Sequence, residues 1–385
     1  MENTKSQKKS YSTASSKSRV RRKTKTDYYD YSLVAVIVLL TCFGLIMLYS
    51  TSSYMAQINY GSDMYFFKKQ AIISVACIIM ALIISRLNYR ILNRFSTALY
   101  VAALVLMALV KTPLGQSSHG AQRWLNLGPV QFQPAELAKI AVIVCLPYMI
   151  VHMGKKVRTL KGCMVLAVVG GGLALAAYVF TDNLSTAIII LGIGGILIFV
   201  SNPGYLEFIG LGSAGAGFIA VFLAAESYRL ERLAIWRNPE KYEKGFQTIQ
   251  GLYAIGSGGI FGRGFGNSLQ KLGFVPEAQN DMIFSIICEE MGAAGAIFLI
   301  FLFAMLLWRL GVAAMHAKDL AGALICCGIM GHLALQVILN IAVVTNTIPN
   351  TGITLPFISY GGTSAVFLLG EMGLAMNVGK CDRIN

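Results

Sequence analysis

Charge is scarce in this sequence and negative charge scarcer: 13% of its 385 residues are charged, with 18 acidic side chains against 32 basic ones. With 56% apolar residues beside so little charge, an ordinary soluble domain is excluded, since about a quarter of the residues of such domains are charged. Metal-ligand spacing is lacking as well. His119, His152, His316 and His332 lie far apart, and no zinc cage is expected from them. The eight cysteines fall in apolar runs, at their ends or in short loops, so no disulfide framework is expected. A net charge of +14 would point to nucleic acid in a soluble protein. Here the cations gather at the ends of apolar runs and in the first 30 residues, where they act as topology signals, and no nucleic-acid partner is expected.

What the chain does have is apolar length. A spanning helix needs about 20 apolar residues, because the hydrocarbon core is about 30 Å thick and leaves backbone groups no water to bond. Ten runs qualify, near 31–52, 69–85, 95–110, 135–154, 162–180, 184–200, 205–225, 282–308, 320–344 and 362–379. The expected fold is an all-α integral membrane protein, a ten-span helical bundle over 31–379. Residues 1–30, rich in Lys, Arg, Ser and Thr, read as a basic, disordered cytoplasmic tail, and 380–385 as a cytoplasmic C-terminus. An even span count puts both termini on one side. With the tail inside, the short segments carry 20 Lys and Arg on the cytoplasmic side against 5 outside. The large loop between spans seven and eight, 226–281, is therefore expected to be extracytoplasmic. Lys68 and Lys69 run against the rule.

The candidates for chemistry lie in segments assigned to that outer side. In GAQRWLNLGPVQFQPAELAK, Arg123 and Trp124 suit either headgroup anchoring or a ligand, Pro134 suits a first helical turn, and Glu136 with Lys139 forms an i,i+3 pair just inside the membrane. The glycine cluster from Gly256 to Gly266 matches neither a dinucleotide nor a Walker pattern. It reads as a re-entrant or tightly turned segment presenting Arg263 and Lys271, cations that suit a phosphate-bearing partner. Asp281 stands where this loop meets a spanning run, with Glu277 nearby. A helix N-cap would account for such an Asp, and so would chemistry at the mouth of the bundle. Glu289 and Glu290 follow about two turns deep. His332, Gln336 and Asn340 make an i, i+4, i+8 stripe read as interhelical hydrogen bonding, and Glu371 reads as a buried, paired carboxylate.

The first of these segments, the stretch from GFQTIQGLYAIGSGG to NDMIFSIICEEMG, and LPFISYGGTS together resemble the signature motifs of the SEDS family, the group of FtsW, RodA and SpoVE. The resemblance covers essentially the whole membrane portion from Tyr31, and GNSLQKLGFVPEAQND and NIAVVTNTIPNTGI are more similar to the FtsW/SpoVE branch. It implies a peptidoglycan glycosyltransferase that polymerises lipid II into growing glycan strands at the outer face of the bacterial cytoplasmic membrane, for division or spore cortex synthesis. A class B penicillin-binding protein and other divisome proteins are the implied partners. The family's catalytic Asp maps onto Asp281, and its Q-P-x-E…K motif onto Gln133, Pro134, Glu136 and Lys139. Two positions depart from the pattern. The usual P-D-x-G-T turn reads Asp182-Asn183-Leu184-Ser185-Thr186, and the Lys often found after P-T in the loop before the last span is Thr351.

The chemistry so implied asks for little. A sugar hydroxyl attacks an anomeric carbon that carries a lipid pyrophosphate, and the leaving group is stable as an anion, so one general base suffices. Asp281 is expected as that base, with inversion at the sugar carbon. Arg123, Glu136, Lys139, Arg263, Lys271, Glu277 and Ser359 are expected to bind substrate. A divalent cation, Mg or Mn, bridging diphosphate oxygens is admitted, and no nucleotide or organic cofactor is expected. Two other readings stay open: a lipid II flippase using Glu136, Glu289, Glu371 and the His332 stripe as a path, although no inverted repeat is visible, and a scaffold of the division machinery.

Overall fold

The structure, a computed structural model, describes residues 26–28, 30–118, 121–127, 130–201, scattered positions between 204 and 217, and 227–383. Helices form along the apolar runs. They are α1 (Tyr31–Tyr60), α2 (Tyr65–Ile84), the short α3 (Arg90–Arg94), α4 (Ser96–Leu109), α5 (Pro134–Met153), α6 (Leu160–Thr181) and α7 (Leu184–Ser201), then α8 (Ser227–Arg237) and α9 (Phe246–Gly258) within the large loop, and α10 (Ile283–Met315), α11 (Leu320–Val344) and α12 (Gly362–Val378). Among the described residues, seven helices are long and apolar enough to cross a membrane, while α4 and α12 are shorter. The tail expectation for 1–30 and the seventh run, 205–225, fall mostly outside the described residues.

The all-α expectation needs one correction. Between α4 and α5 the chain forms an antiparallel sheet of β2 (Gly115–Ser118), β3 (Ala121–Leu127) and β4 (Val130–Phe132), in that order. An open sheet edge is tolerated there because the segment lies beyond the apolar runs, where water can satisfy the edge. A second pairing joins β1 (Thr26–Tyr28) antiparallel to β5 (Cys381–Arg383), with Thr26 opposite Arg383. The first and last described segments thus pair beside the start of α1 and the end of α12.

α5 and α11 are the most enclosed of the long helices, with 61% of each apolar window buried. The large loop is built onto α10. Gly258 lies directly on the Cys288 carbonyl, with no room for a Cβ. Beyond it the chain turns tightly, with Gly262 at φ 79°, and α10 itself breaks helical geometry at Gly292, φ 67°. The broken turn leaves backbone groups that must find partners. The loop supplies them: Arg263 N and Gly264 N donate to the Glu289 and Glu290 carbonyls at 2.9 and 3.0 Å, and Ala293 N and Ala294 N donate to Gly259 and Ile260 at 2.9 and 3.0 Å. The glycine cluster is therefore the tightly turned, closely approaching segment its composition implies.

Candidate active site

Above α5 and α11, segments distant in sequence enclose a cavity of about 1480 Å³. Pro134 opens α5, where a missing N–H leaves nothing unsatisfied, and the first two turns then set Glu136 and Lys139 in the cavity wall. Their Oε1 and Nζ atoms are 2.9 Å apart with both side chains nearly buried, and Lys139 Nζ also donates to Gln336 Oε1 at 3.4 Å. Strand β3 brings Arg123 and Trp124 to the same cavity, with Arg123 Nη2 donating to the Asp182 carbonyl at 3.4 Å.

Across the cavity, the turns before α10 deliver Glu277 and Asp281. Glu277 holds a left-handed conformation, φ 54°. Asp281 is 9% exposed; its Oδ1 accepts from Gln247 Nε2 on α9 at 3.4 Å, and its carbonyl accepts from Asn340 Nδ2 at 2.8 Å. Met282, not Asp281, is the N-cap of α10, so the capping account of Asp281 lapses. Residues 345–361 form a lip along the remaining side. Ser359 lines the cavity, but its Oγ accepts from Leu355 N at 2.8 Å and donates to the Asn280 carbonyl, so the hydroxyl fastens the lip to the Asp281 turn.

Arg263 and Lys271 do not line this cavity. The correction has a clear electrostatic cause, because two buried carboxylates claim both cations. Glu290, 1% exposed, accepts from Lys271 Nζ and Ser50 Oγ at 2.7 Å each, and Lys271 Nζ donates to Ser50 Oγ at 2.9 Å. Glu289 accepts from Ser268 Oγ, from Leu269 N at 3.1 Å and from Gln270 N at 3.3 Å, with Arg263 Nη1 at 3.7 Å. A buried ion left unpaired would cost several kcal/mol, so these partners are kept within the protein.

Other cations take their place. Lys69 on α2 and Arg232 on α8 line the cavity, and neither was marked by its motif. The signal for Lys69 was its violation of the positive-inside pattern. Beside it, burial pushes the Tyr360 hydroxyl up while the Lys69 ammonium pulls the other way, leaving a neutral phenol as a donor. Lys69→Ala is expected to leave the thermal midpoint unchanged and to raise the KM for an anionic lipid-linked substrate about 10- to 150-fold, the worth of one charge-assisted hydrogen bond. Titrating substrate against rate checks this, and an unchanged KM returns Lys69 to a topology exception.

At the departures, 182–186 and 351, Asn183, Ser185, Thr186 and Thr351 line the cavity and the segment makes local contacts. Asp182 pairs with Lys111 at 2.8 Å, Asn183 Oδ1 accepts from Thr186 N at 3.0 Å, and Ser185 Oγ donates to the Thr351 carbonyl at 2.8 Å, tying α7 to the lip. His332 and Glu371 close on each other at 2.9 Å, each about 1% exposed, as a contact between α11 and α12. Of the polar groups of the transport reading, Glu289 and the His332–Glu371 pair are held in local contacts, while Glu136 and Gln336 line the cavity. Among the described residues no three His, Cys, Asp or Glu side chains converge on a metal position, so the protein groups do not by themselves form a cage.

A family model described as "Cell cycle protein", FTSW_RODA_SPOVE, matches residues 30–384. Stage V sporulation protein E of Bacillus subtilis is 36% identical over 367 residues, covering 94% of this chain and 99% of that protein. The probable peptidoglycan glycosyltransferase FtsW of Trichlorobacter lovleyi is 35% identical, covering 91% and 93%. Among solved structures, a chain of a peptidoglycan synthase complex that coordinates polymerization and crosslinking aligns with a TM-score of 0.77 at 27% identity, covering 91% of this chain and 97% of that one. The rod shape determining protein RodA of Thermus thermophilus aligns with a TM-score of 0.64 at 27% identity, covering 91% and 96%.

Proposed function

Because the chain belongs to the FtsW/RodA/SpoVE family, we propose the following account of its cavity and its chemistry. The protein is a multi-pass membrane peptidoglycan glycosyltransferase of septal or sporulation wall synthesis. Lipid II enters with its sugar and diphosphate in the cavity. Its polyprenyl chain leaves along the apolar wall where Ile73, Phe132, Val366 and Phe367 line the same space. The observation that carries this reading is the meeting of Asp281 and the buried Glu136–Lys139 pair on one cavity, from segments about 140 residues apart.

Asp281 takes the proton of the attacking sugar hydroxyl while the oxygen displaces the lipid diphosphate from the anomeric carbon, with inversion. The leaving group departs as an anion and needs no acid, so one carboxylate is enough. Arg123, Lys139, Lys69 and Arg232 stabilise the growing charge on the diphosphate, while Arg263 and Lys271 lie off the cavity. Glu136 holds Lys139 at its position. Glu277 is left as a contact for the sugar or peptide of the substrate. A divalent cation, Mg or Mn, would come as the counter-ion of the diphosphate.

The proposed topology has ten spans, both termini in the cytoplasm, and the cavity outside, supported by the Lys/Arg count and by the pairing of β1 with β5. A class B penicillin-binding protein is the proposed partner, in keeping with the crosslinking role of the synthase complex whose chain this one resembles. Purified full-length protein, supplied with lipid II and that partner, is expected to yield glycan strands resolved by gel electrophoresis. Intact lipid II and no strands would overturn the assignment.

A further inference from the structure

The polar stripe on α11 has a use that helix association alone does not require. Asn340 is fully buried, and its one amide nitrogen donates to two carbonyls, Asp281 O at 2.8 Å and Ile353 O at 2.7 Å. One turn away, about 6 Å along the axis, Gln336 Nε2 donates to Thr354 O at 3.0 Å while its Oε1 accepts from Lys139 Nζ at 3.4 Å. Each amide therefore grips the lip, at neighbouring residues, and one functional side of the cavity. Asn340 holds the Asp281 turn and Gln336 holds Lys139.

We propose that Asn340 and Gln336 are positioning residues that set Asp281 and Lys139 at a fixed separation across the cavity. This inference rests on the reading of Asp281 as base. The residue types fit the task. A primary amide is a neutral group with two N–H donors and a carbonyl acceptor, so Asn340 can satisfy two carbonyls inside the bundle without burying a charge. Asp at 340 has the same shape but no donor when ionised, and would then turn an anion toward two carbonyl oxygens. Gln336 needs a donor for the lip and an acceptor for an ammonium, a combination that Glu, Leu or Lys lacks.

The test uses the full-length protein with its partner and lipid II. Asn340→Asp is expected to lower kcat at least 10-fold with KM within about 2-fold of wild type, because substrate contacts remain while the base is displaced. His332→Gln, on the same helix face but bonded to Glu371 of α12, is the control for simple loss of a buried contact. It is expected to lower the thermal midpoint without this selective loss of kcat. Wild-type kcat in Asn340→Asp overturns the proposal, as does a loss of kcat in His332→Gln as large as that in Asn340→Asp. If Asn340→Asp does not accumulate in membranes, Asn340→Gln decides, since it keeps both donors one methylene further out: depressed kcat at unchanged KM supports the proposal, and wild-type kcat overturns it. Asp281→Asn in parallel separates the two levels. Full activity in Asp281→Asn removes the base and this proposal with it, whereas an inactive Asp281→Asn beside an active Asn340→Asp removes the positioning role alone.

Discussion

Asp281→Asn is expected to reduce glycan-strand synthesis by about 10²- to 10⁴-fold, the usual worth of a general base, while the purified protein keeps its thermal midpoint. The substitution is close to isosteric, and what holds the residue survives it. Asn340 grips the main-chain carbonyl at 2.8 Å, and an asparagine oxygen can still accept from Gln247 Nε2. Since Met282 caps α10, no helix end is lost either. The loss should therefore appear in kcat, with KM for lipid II little changed. A time course of strand length on gels, with midpoints from the same preparations, measures both. Strands made at the wild-type rate would remove Asp281 from the chemistry.

The second large effect concerns stability and separates two meanings of Lys271. If Lys271 bound the diphosphate, Lys271→Met would raise KM and spare the fold. Because Lys271 Nζ is instead shared between Glu290 and Ser50 at 2.7 and 2.9 Å, Lys271→Met should strand a carboxylate that is 1% exposed. The expected cost is about 3–5 kcal/mol, and Glu290→Gln should cost a similar amount. Removing both charges tells a different story. A Lys271→Met/Glu290→Leu double variant leaves no buried ion, and apolar replacement of a buried pair is often neutral or better. Thermal midpoints should thus fall in each single variant and recover in the double one. Additive losses would mean that the pair acts through something other than mutual neutralisation.

The Asp281 and Lys271 cases show why the site was only partly legible beforehand. Glu136 and Lys139 were readable because an i,i+3 spacing on a helix opened by Pro134 fixes who meets whom within one turn. Asp281 was readable because a carboxylate at the edge of an apolar run is unusual in itself. That Arg263 and Lys271 would lie off the cavity was not legible: a glycine-rich loop with cations fits a phosphate, and nothing local reveals that Ser50, 221 residues away, and two consecutive glutamates pair with them. Lys69 was visible only as an exception to a charge rule, and Asn340 only as part of a stripe whose partners were unknown.

By itself the sequence determined the class of molecule and the positions of its long apolar helices. Those follow from local physics, since inside a bilayer each helix must satisfy its own backbone and so announces itself by apolar length. The tertiary structure decided which charges face the cavity and which are buried against one another. It also placed two small sheets in a mostly helical chain and turned the α11 stripe toward Asp281 and Lys139. Those outcomes depend on helices remote in sequence coming into contact, where a buried ion takes whatever partner the packing brings within about 3 Å, and no spacing along the chain records that.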